Sequence, residues 1–259
     1  NNTMHLRDFF LSNLTVTGTA EDIAHLAGSF KRKRSLEEFA LVSCQFPRAT
    51  KVTLLDQLTR SIAELPHIRI VHIHARAADF LGTLTSGAVS SLCQSKSLKE
   101  LKIYHFDLND DQVMTVARSM ETNKTLEELG LSSCNFTVVT TAAISKMLRC
   151  NSTMSWLELA PKHKVEDKLA AQIAEALEEN AALKHFALDG AYGPLTQACK
   201  NAFEQMLDSN YTLERFRLYS FGNDIPEFDM YLRLNRVGRN RLLDTKVTTT
   251  RKDWLNALH

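Results

Sequence analysis

Apolar residues recur along this chain in one spacing, in which a leucine-type residue is followed by apolar residues three and five positions later. The second and third of these positions alternate with polar residues, as Leu101 and Ile103 do, and a period of two residues predicts a β-strand. Farther along, the apolar spacing changes to three and four, as in Val113, Val116 and Met120, which predicts an amphipathic helix. The pattern therefore predicts a chain that alternates short strands with helices.

The strand pattern starts eight times, at intervals of 28 to 32 residues. Parallel strands need a crossover connection, and each unit supplies one helix for it, so the order predicts a parallel sheet covered by helices. A fixed period of this length is typical of a solenoid, in which each unit packs on its neighbours. The eight units start at Leu6, Leu36, Ile68, Leu98, Leu126, Met154, Leu183 and Leu213.

An asparagine ends four of the predicted helices, three residues before the next strand pattern. We expect it to adopt the left-handed backbone conformation, which asparagine tolerates better than most residues and which often ends a helix. Three of the four also begin a glycosylation sequon, but the structural demand at this point explains them better than secretion does. The four residues are Asn123, Asn151, Asn180 and Asn210.

The repeats predict one solenoid over residues 1–244 that ends in a closing helix at 225–244, because the last unit must cover its apolar face. Pro226 suits the first turn of that helix. Residues 245–259 predict a linker and the start of an amphipathic helix. A unit already begins at Leu6, so we expect the chain to belong to a longer protein.

Strand-plus-helix units of 28 to 30 residues resemble the leucine-rich repeats of the ribonuclease-inhibitor-like type, over about residues 6–225. The resemblance implies a right-handed α/β solenoid, shaped like a horseshoe, with a concave parallel sheet and convex helices. In that family, asparagine or cysteine usually occupies the position eight residues after the first leucine. Here only Cys44 and Cys134 keep this feature.

The resemblance also implies a function in protein–protein interaction, with the partner bound on the concave strand face and the adjoining turns. Two alternatives follow from other members of the family. One is regulation of a small GTPase, as in the Ran GTPase-activating protein, although its functional motif has no match here. The other is a cytoskeletal role like that of tropomodulin.

Composition narrows the class of partner and the compartment. A net charge of +1 argues against a nucleic-acid partner, and no apolar run approaches the roughly 18 residues of a membrane span. The five cysteines are odd in number and lack C-x-x-C spacing, which argues against disulfides and zinc. We therefore expect a reducing compartment, the cytoplasm, with the nucleus as the alternative. As a fragment, the chain is expected to be a monomer.

The chain lacks the local sequence signatures of common enzymes. It has no glycine-rich phosphate loop, no G-x-S-x-G and no H-E-x-x-H, so we expect neither catalysis nor a cofactor. His72, His74 and Glu100 come nearest to a metal site, but exposed histidines on a sheet face explain them better. The basic clusters at 31–34 and 233–241 are interpreted as solvated helix ends and faces.

The candidate binding residues are those that the strands point toward the concave side. If the first, fourth and sixth positions of each unit enter the core, the third, fifth and seventh face outward. Tyrosine, tryptophan and arginine dominate interface hot spots, which makes Trp156 the sharpest candidate, although packing under an adjoining loop would also explain it. The predicted protein-binding set is His72, Lys102, Tyr104, Trp156, Glu158, His185, Arg215, Arg217 and Tyr219.

Overall fold

The computed structural model describes residues 6–14, 20–32, 35–44, 51–75, 84–189, 196–219 and 226–236. Within them, strands and helices alternate without exception. The strands are β1 (Asp8–Ser12), β2 (Glu38–Val42), β3 (Ile70–His74), β4 (Glu100–Tyr104), β5 (Glu128–Cys134), β6 (Trp156–Pro161), β7 (His185–Asp189) and β8 (Arg215–Tyr219). The helices are α1 (Ala20–Lys31), α2 (Lys51–Ala63), α3 (Ser86–Cys93), α4 (Asp110–Thr122), α5 (Val138–Cys150), α6 (Asp167–Glu179), α7 (Gln197–Ser209) and α8 (Pro226–Arg236).

The eight strands form one parallel sheet in the order in which they occur along the chain. Each strand begins two residues after the first apolar residue of its unit, and equivalent positions of adjacent units face each other, as Leu101 and Leu129 do. The helices pack side by side as a second layer. The predicted α/β solenoid is confirmed, and we use the term concave face for the side of the sheet away from the helices.

One apolar core lies between the two layers. Alternate strand residues enter it, such as Val71 and Ile73 of β3, while the residues between them stay partly exposed. The helices contribute residues at helical spacing, such as Leu169, Ile173 and Leu177 of α6. Each fully buried side chain of this kind contributes about 1.5–3 kcal/mol of transfer free energy, so most of the stability resides in this core.

Aromatic side chains concentrate at the two ends of the core. Phe9, Phe30 and Phe39 pack together in the first two units, with ring centroids 4.8–5.7 Å apart. The last units hold a second group, in which Phe216 is the shared member. An end unit has one neighbour instead of two, and the large buried area of a phenyl ring helps to offset that loss. The second group is Phe186, Phe203, Phe216 and Phe228.

The asparagines at the helix ends are in an extended conformation, so the predicted left-handed conformation is wrong. Asn123 has φ −64° and ψ 134°, and Asn210 has φ −84° and ψ 121°. The side chain, not the backbone, meets the demand at this position. Asn123 Oδ1 accepts from the backbone N–H groups of Thr125 and Leu126 at 2.8 and 2.7 Å, which shapes the turn into the next strand.

The other end of each amide joins its unit to the preceding one. Asn180 Nδ2 donates to the backbone carbonyls of Leu148 at 2.6 Å and Asn151 at 3.3 Å. Since the same bonds recur from unit to unit, the amides form a hydrogen-bonded column through the molecule. We call it the asparagine ladder, and its members are Asn123, Asn151, Asn180, Asn210 and Asn235.

Left-handed residues occur instead where strands end. Asn13, Ser43, His105 and Ser133 have φ between 53° and 63°, and each lies seven residues after the first leucine-type residue of its unit. The next residue in the second unit, Cys44, is buried, and its thiol lies 3.4 Å from the carbonyl of Leu11. These turns start the crossover from the sheet to the helix layer.

Threonines link adjacent helices at their N-termini. Thr196 Oγ1 accepts from the Cys199 N–H, which caps α7, and donates to Asp167 Oδ1 of α6 at 2.6 Å. Thr137 does the same at the start of α5, with Asp110 of α4 as the partner at 3.0 Å. One hydroxyl thus satisfies a free N–H of its own helix and ties two units together.

Helix α8 packs on the last unit through Phe228, and Asn235 extends the asparagine ladder by one rung. The rest of the closing helix predicted for 225–244 and the elements predicted for 245–259 lie outside the described residues. None of the described helices is long and apolar enough to cross a membrane.

The two basic clusters are only partly described. Arg32 lies just after α1, which ends at Lys31. In α8, Arg233 pairs with Asp229 at 2.7 Å, and Arg236 lies 3.5 Å from the same carboxylate. Pairing within one helix agrees with the interpretation of this cluster as a solvated helix face.

Candidate functional site

Polar and aromatic side chains meet in the middle of the concave face, between β3 and β7. They occupy the third, fifth and seventh positions of their units, which lie side by side because the strands are in register. Most are partly buried, since they lie against one another instead of extending into solvent. We call them the concave cluster, and its members are His72, Glu100, Lys102, Tyr104, Trp156, Glu158 and His185.

Glu100 organises one side of the cluster. His72 Nε2 donates to Glu100 Oε1 at 2.7 Å, and the Lys102 ammonium donates to the same oxygen. Burial raises the pKa of Glu100, but the hydrogen bonds with Lys102 and His72 outweigh it and hold that pKa below its ordinary value. Glu100 is therefore a carboxylate that orients two cationic or polar neighbours.

Trp156 lies at the centre of the cluster. Its ring stacks on the imidazole of His185 at a centroid distance of 5.1 Å, and the Lys102 ammonium lies 5.1 Å from the ring centroid. The cation and the π-face attract each other, which fixes both side chains. Trp156 thus contacts neighbours of its own sheet, and it is held in one orientation while remaining partly exposed.

Tyr104 reaches across β5 because that strand has a glycine at the crossing point. A Cβ on Gly130 would lie 2.5 Å from the Tyr104 hydroxyl oxygen, so any larger residue would displace the ring. Across this gap the Tyr104 hydroxyl interacts with the carboxylate of Glu158 on β6. Burial, followed by this carboxylate, raises the pKa of Tyr104, and the hydroxyl counteracts the rise in the pKa of Glu158. The tyrosine also packs edge-on against His74 at 4.8 Å.

Two other carboxylates of the concave face have raised pKa values. Burial, followed by repulsion from Asp189, raises the pKa of Glu158, although the Tyr104 hydroxyl counteracts it. Burial and the charge of Glu100 raise the pKa of Glu128. Both groups retain protons at a higher pH than an exposed glutamate does.

Two histidines are kept neutral by their surroundings. Burial, assisted by the positive charges of Arg217 and Arg215, lowers the pKa of His185 to about 4. Burial, assisted by His72, lowers the pKa of His74 to about 4 as well. At neutral pH both rings are therefore uncharged.

Opposite charges mark the two ends of the concave face. At the β8 end, Arg215 and Arg217 are exposed. At the other end, a groove of about 420 Å³ follows the N-terminal ends of β1 to β5. Six carboxylates and three cations line it, so negative charges exceed positive ones by three. The groove is lined by Arg7, Asp8, Glu37, Glu38, Arg69, Ile70, Lys99, Glu100, Glu127 and Glu128.

The structure brings six of the nine predicted binding residues together in the concave cluster. Arg215 and Arg217 lie at its β8 margin, and Tyr219 is in register with Asp189, but its side chain lies outside the described part of the chain. His185 is buried and stacks on Trp156, so it offers little surface of its own. The six residues are His72, Lys102, Tyr104, Trp156, Glu158 and His185.

Two members of the arrangement were missing from the predicted set. The sequence pattern indicates Glu100 only as a possible metal ligand beside the two histidines, whereas its carboxylate organises the cluster. Gly130 carries no side chain, so residue-type arguments pass over it. A glycine inside a strand is itself a signal of close approach, and it could have identified this crossing point.

Metal ligands and cysteine thiols are the remaining groups with distinctive chemistry among the described residues. No group of three or more His, Cys, Asp or Glu among them could hold a metal ion. All five cysteines are free. Burial raises the pKa of Cys93 and Cys134 to about 12, which keeps these thiols protonated and unreactive.

Comparison with known proteins supports the fold. No protein-family model matches the chain. Among solved structures, "Leiomodin-1 Actin-Binding Site 2 (ABS2)" has a TM-score of 0.50 at 17% sequence identity, covering 61% of this chain and 90% of that one. The tropomodulin C-terminal domain of Caenorhabditis elegans has a TM-score of 0.40 at 12% identity, covering 75% of this chain and 94% of that one. At such identities the likeness to the leiomodin domain concerns the fold alone.

Proposed function

We propose that this protein is a leucine-rich repeat module of the ribonuclease-inhibitor-like type that binds a protein partner on its concave face and does not catalyse a reaction. The type is supported by units of about 30 residues that each contain a complete helix. The binding role is supported by the concave cluster, and a parallel sheet gives it a rigid base.

One observation carries the proposal, which is the fixed orientation of Trp156. Lys102 and His185 restrain its ring, and part of the ring stays accessible. A large aromatic side chain that is already ordered loses little conformational entropy when a partner covers it. Tryptophan and arginine are also the residue types most enriched in interface hot spots, and Arg217 lies two strands away.

The test is quantitative affinity purification with the tagged full-length protein from its own cells. We compare the wild type with a variant carrying both Trp156→Ala and Arg217→Ala. Partners bound on the concave face are expected to fall at least tenfold in the variant, since loss of one hot spot costs about 2 kcal/mol or more. Circular dichroism and urea unfolding of both proteins establish that the variant is folded.

The matched control removes an apolar and a cationic side chain from the helix layer. Val138 and Arg118 are exposed there, so Val138→Ala with Arg118→Ala makes a smaller change of the same kind away from the sheet. This control is expected to retain the partners. Partners that are retained equally by the folded concave variant and by the control would exclude the concave face as the binding surface.

Actin is a specific second candidate for the partner, because the leiomodin-1 domain of similar fold is described as an actin-binding site. Cosedimentation with filamentous actin, and pyrene-actin polymerisation with monomeric actin, test this directly. Binding that is lost in the Trp156→Ala, Arg217→Ala variant would identify actin as a concave-face partner. The described residues add no support to regulation of a small GTPase.

We also propose a reducing compartment, the cytoplasm or the nucleus, as the site of action. The five free thiols, four of them buried, support it, because an oxidising compartment favours disulfide pairing.

A further inference from the structure

The charge of the concave face changes sign along one row of side chains. The third position of each unit carries a carboxylate in four of the first five strands, an aromatic ring in β6 and β7, and a cation in β8. Consecutive strands are in register, so these side chains form one line across the sheet. In order, the line contains Asp8, Glu38, Ile70, Glu100, Glu128, Trp156, His185 and Arg215.

The negative end of this line lies in a groove, not on a flat surface. The ion pairs Arg7–Glu37 at 2.8 Å and Lys99–Glu127 at 2.7 Å neutralise part of the groove. Lys102 pairs with Glu100 from beside the groove, so an excess of two negative charges remains. Ile70 supplies an apolar floor between Glu38 and Glu100. This combination suits lysine or arginine, whose stem packs on apolar surface while its charged head meets carboxylates.

The positive end has the opposite preference. Arg215 and Arg217 are exposed in successive outward positions of β8. Arginine forms bidentate bonds with carboxylates, so acidic residues of a partner are favoured there and basic ones are repelled. Between the two ends, Trp156 offers an apolar surface.

We propose that the concave face binds a protein segment of split charge, with lysine or arginine over β1 to β5, an apolar residue on Trp156, and aspartate or glutamate over β8. This inference rests on the proposed function and specifies the chemistry of the partner. Six strand spacings of about 4.8 Å separate Glu38 from Arg215, or about 29 Å. A helix of about 20 residues has that length, so one helical segment reaches from β2 to β8. A nucleic acid is disfavoured, since its phosphates would meet the carboxylates of the groove.

The first test uses three synthetic helical peptides of about 20 residues with a fluorescent label. One has lysines in one half, a central leucine and glutamates in the other half, and the other two carry only lysine or only glutamate as charged residues. By fluorescence anisotropy, the split-charge peptide is expected to bind at least tenfold more tightly than either uniform peptide. Its affinity is expected to fall as salt is raised, because exposed charges are screened.

The second test reverses each end of the line. Glu38→Lys with Glu128→Lys, and separately Arg215→Glu with Arg217→Glu, are each expected to weaken binding of the split-charge peptide at least tenfold. With all four substitutions combined, the split-charge peptide is expected to bind again, but in the opposite direction. A photo-crosslinker at the lysine end of the peptide is then expected to react with β8 instead of β1–β5. The matched control for the Glu38→Lys, Glu128→Lys pair is Glu178→Lys with Glu204→Lys on the helix layer, which makes the same change in net charge.

Several results overturn the inference. They are tightest binding by a uniform peptide, no measurable binding of the split-charge peptide, or a crosslinking position that does not move in the fourfold variant. If a reversed variant fails to fold, the corresponding Glu→Gln and Arg→Gln variants replace it with the same expected direction. A failure here, combined with natural partners that still depend on Trp156, leaves the proposed function intact. Natural partners that do not depend on Trp156 remove the proposed function itself.

Discussion

A single amide side chain performs two tasks in this protein. Asn180 Oδ1 accepts from the N–H groups of Ala182 and Leu183 at 3.0 and 2.7 Å, while its Nδ2 donates to two carbonyls of the unit before it. One end shapes the turn of its own repeat, and the other end holds the adjacent repeat. Few side chains offer both a donor and an acceptor at this length.

Replacing Asn180 with alanine is therefore expected to lower the free energy of unfolding by about 3 kcal/mol or more, because several buried backbone groups lose their partner at about 1–3 kcal/mol each. Asn180→Asp keeps the acceptor and loses the donor, so it tests the link between units separately. Urea unfolding provides the measurement. Asn201→Ala on the exposed face of α7 is the control, with an expected change within about 0.5 kcal/mol. An equally small change at Asn180 would contradict the structural role of the ladder.

His74 and His185 give the stability of the fold a predicted dependence on pH. Their pKa values of about 4 in the folded protein lie below the roughly 6.5 of an unfolded chain. Between these values the unfolded state binds more protons, so stability is expected to decrease as pH falls from about 6.5 to 4. The raised pKa values of Glu128 and Glu158 increase stability as pH falls, which opposes the effect of the histidines. Histidine variants are therefore needed to measure the histidine contribution by itself.

The measurement is the urea midpoint between pH 4.5 and 7 for the wild type, His185→Gln and His74→Gln. Near pH 5.5, unfolding of each variant is expected to take up as much as about one proton less than unfolding of the wild type. Stability is therefore expected to change less steeply with pH in each variant. His25→Gln serves as the control, because His25 is exposed on α1. Curves that stay parallel to the wild type would show that these two rings do not titrate as described.

Sequence patterns predict the residues that enter the core better than those that form the site. A core position needs only an apolar side chain at the right period, so Leu101, Ile103 and their equivalents are identified correctly. The contacts of the concave cluster depend on where long side chains lean. Tyr104 bends across Gly130, and Trp156 covers His185, and neither direction follows from strand spacing.

At the scale of elements, two pairs of adjacent helices are joined at their first turns, α4 with α5 and α6 with α7. Thr196 caps α7 and binds Asp167 of α6, while the N-cap of α6, Glu166, makes no capping hydrogen bond with its side chain. The repeat spacing predicts where α4 to α7 lie, since each buries one face. It does not predict which N-cap side chains bond to the preceding helix, because that depends on how far adjacent helices are shifted along their axes.

Thr196→Val is expected to lower the free energy of unfolding by about 1–2 kcal/mol, because valine keeps the shape and removes both the cap and the bond to Asp167. Thr196→Ser keeps the hydroxyl and is expected to change stability little. The two variants are compared by thermal and urea unfolding. Similar losses in both would indicate that packing of the methyl group, not the hydroxyl, matters at this position.

At the scale of the molecule, each repeat is stabilised by its contacts with the repeats on either side. The repeat period predicts this arrangement and the fold, because the order of units alone fixes the order of strands. The two ends differ, since β8 is followed by α8, which adds Phe228 to the core and Asn235 to the ladder. Among the described residues, β1 pairs with β2 alone.

Hydrogen exchange is therefore expected to be slowest in β4 to β7, faster in β8 and fastest in β1. Interior units have neighbours on both sides, and solenoids open from their less supported ends. Mass spectrometry of peptides after timed exchange measures this order. The expected order follows from the position of each strand in the sheet alone. Equal protection of β1 and β5 would contradict it and would mean that the chain unfolds as a single cooperative unit.

The asparagine ladder also has a consequence for protein biogenesis. Asn123, Asn151 and Asn210 each begin an Asn-x-Ser/Thr sequon, and a glycan attaches to the same Nδ2 atom that donates to the preceding unit. Sugar transfer precedes the folding of a chain that enters the secretory pathway, so burial in the finished fold gives these amides no protection. A bulky sugar at any of these atoms needs space that the preceding unit occupies in the folded protein. Glycosylation at any of these positions is therefore expected to compete with closure of the solenoid in the same nascent chain.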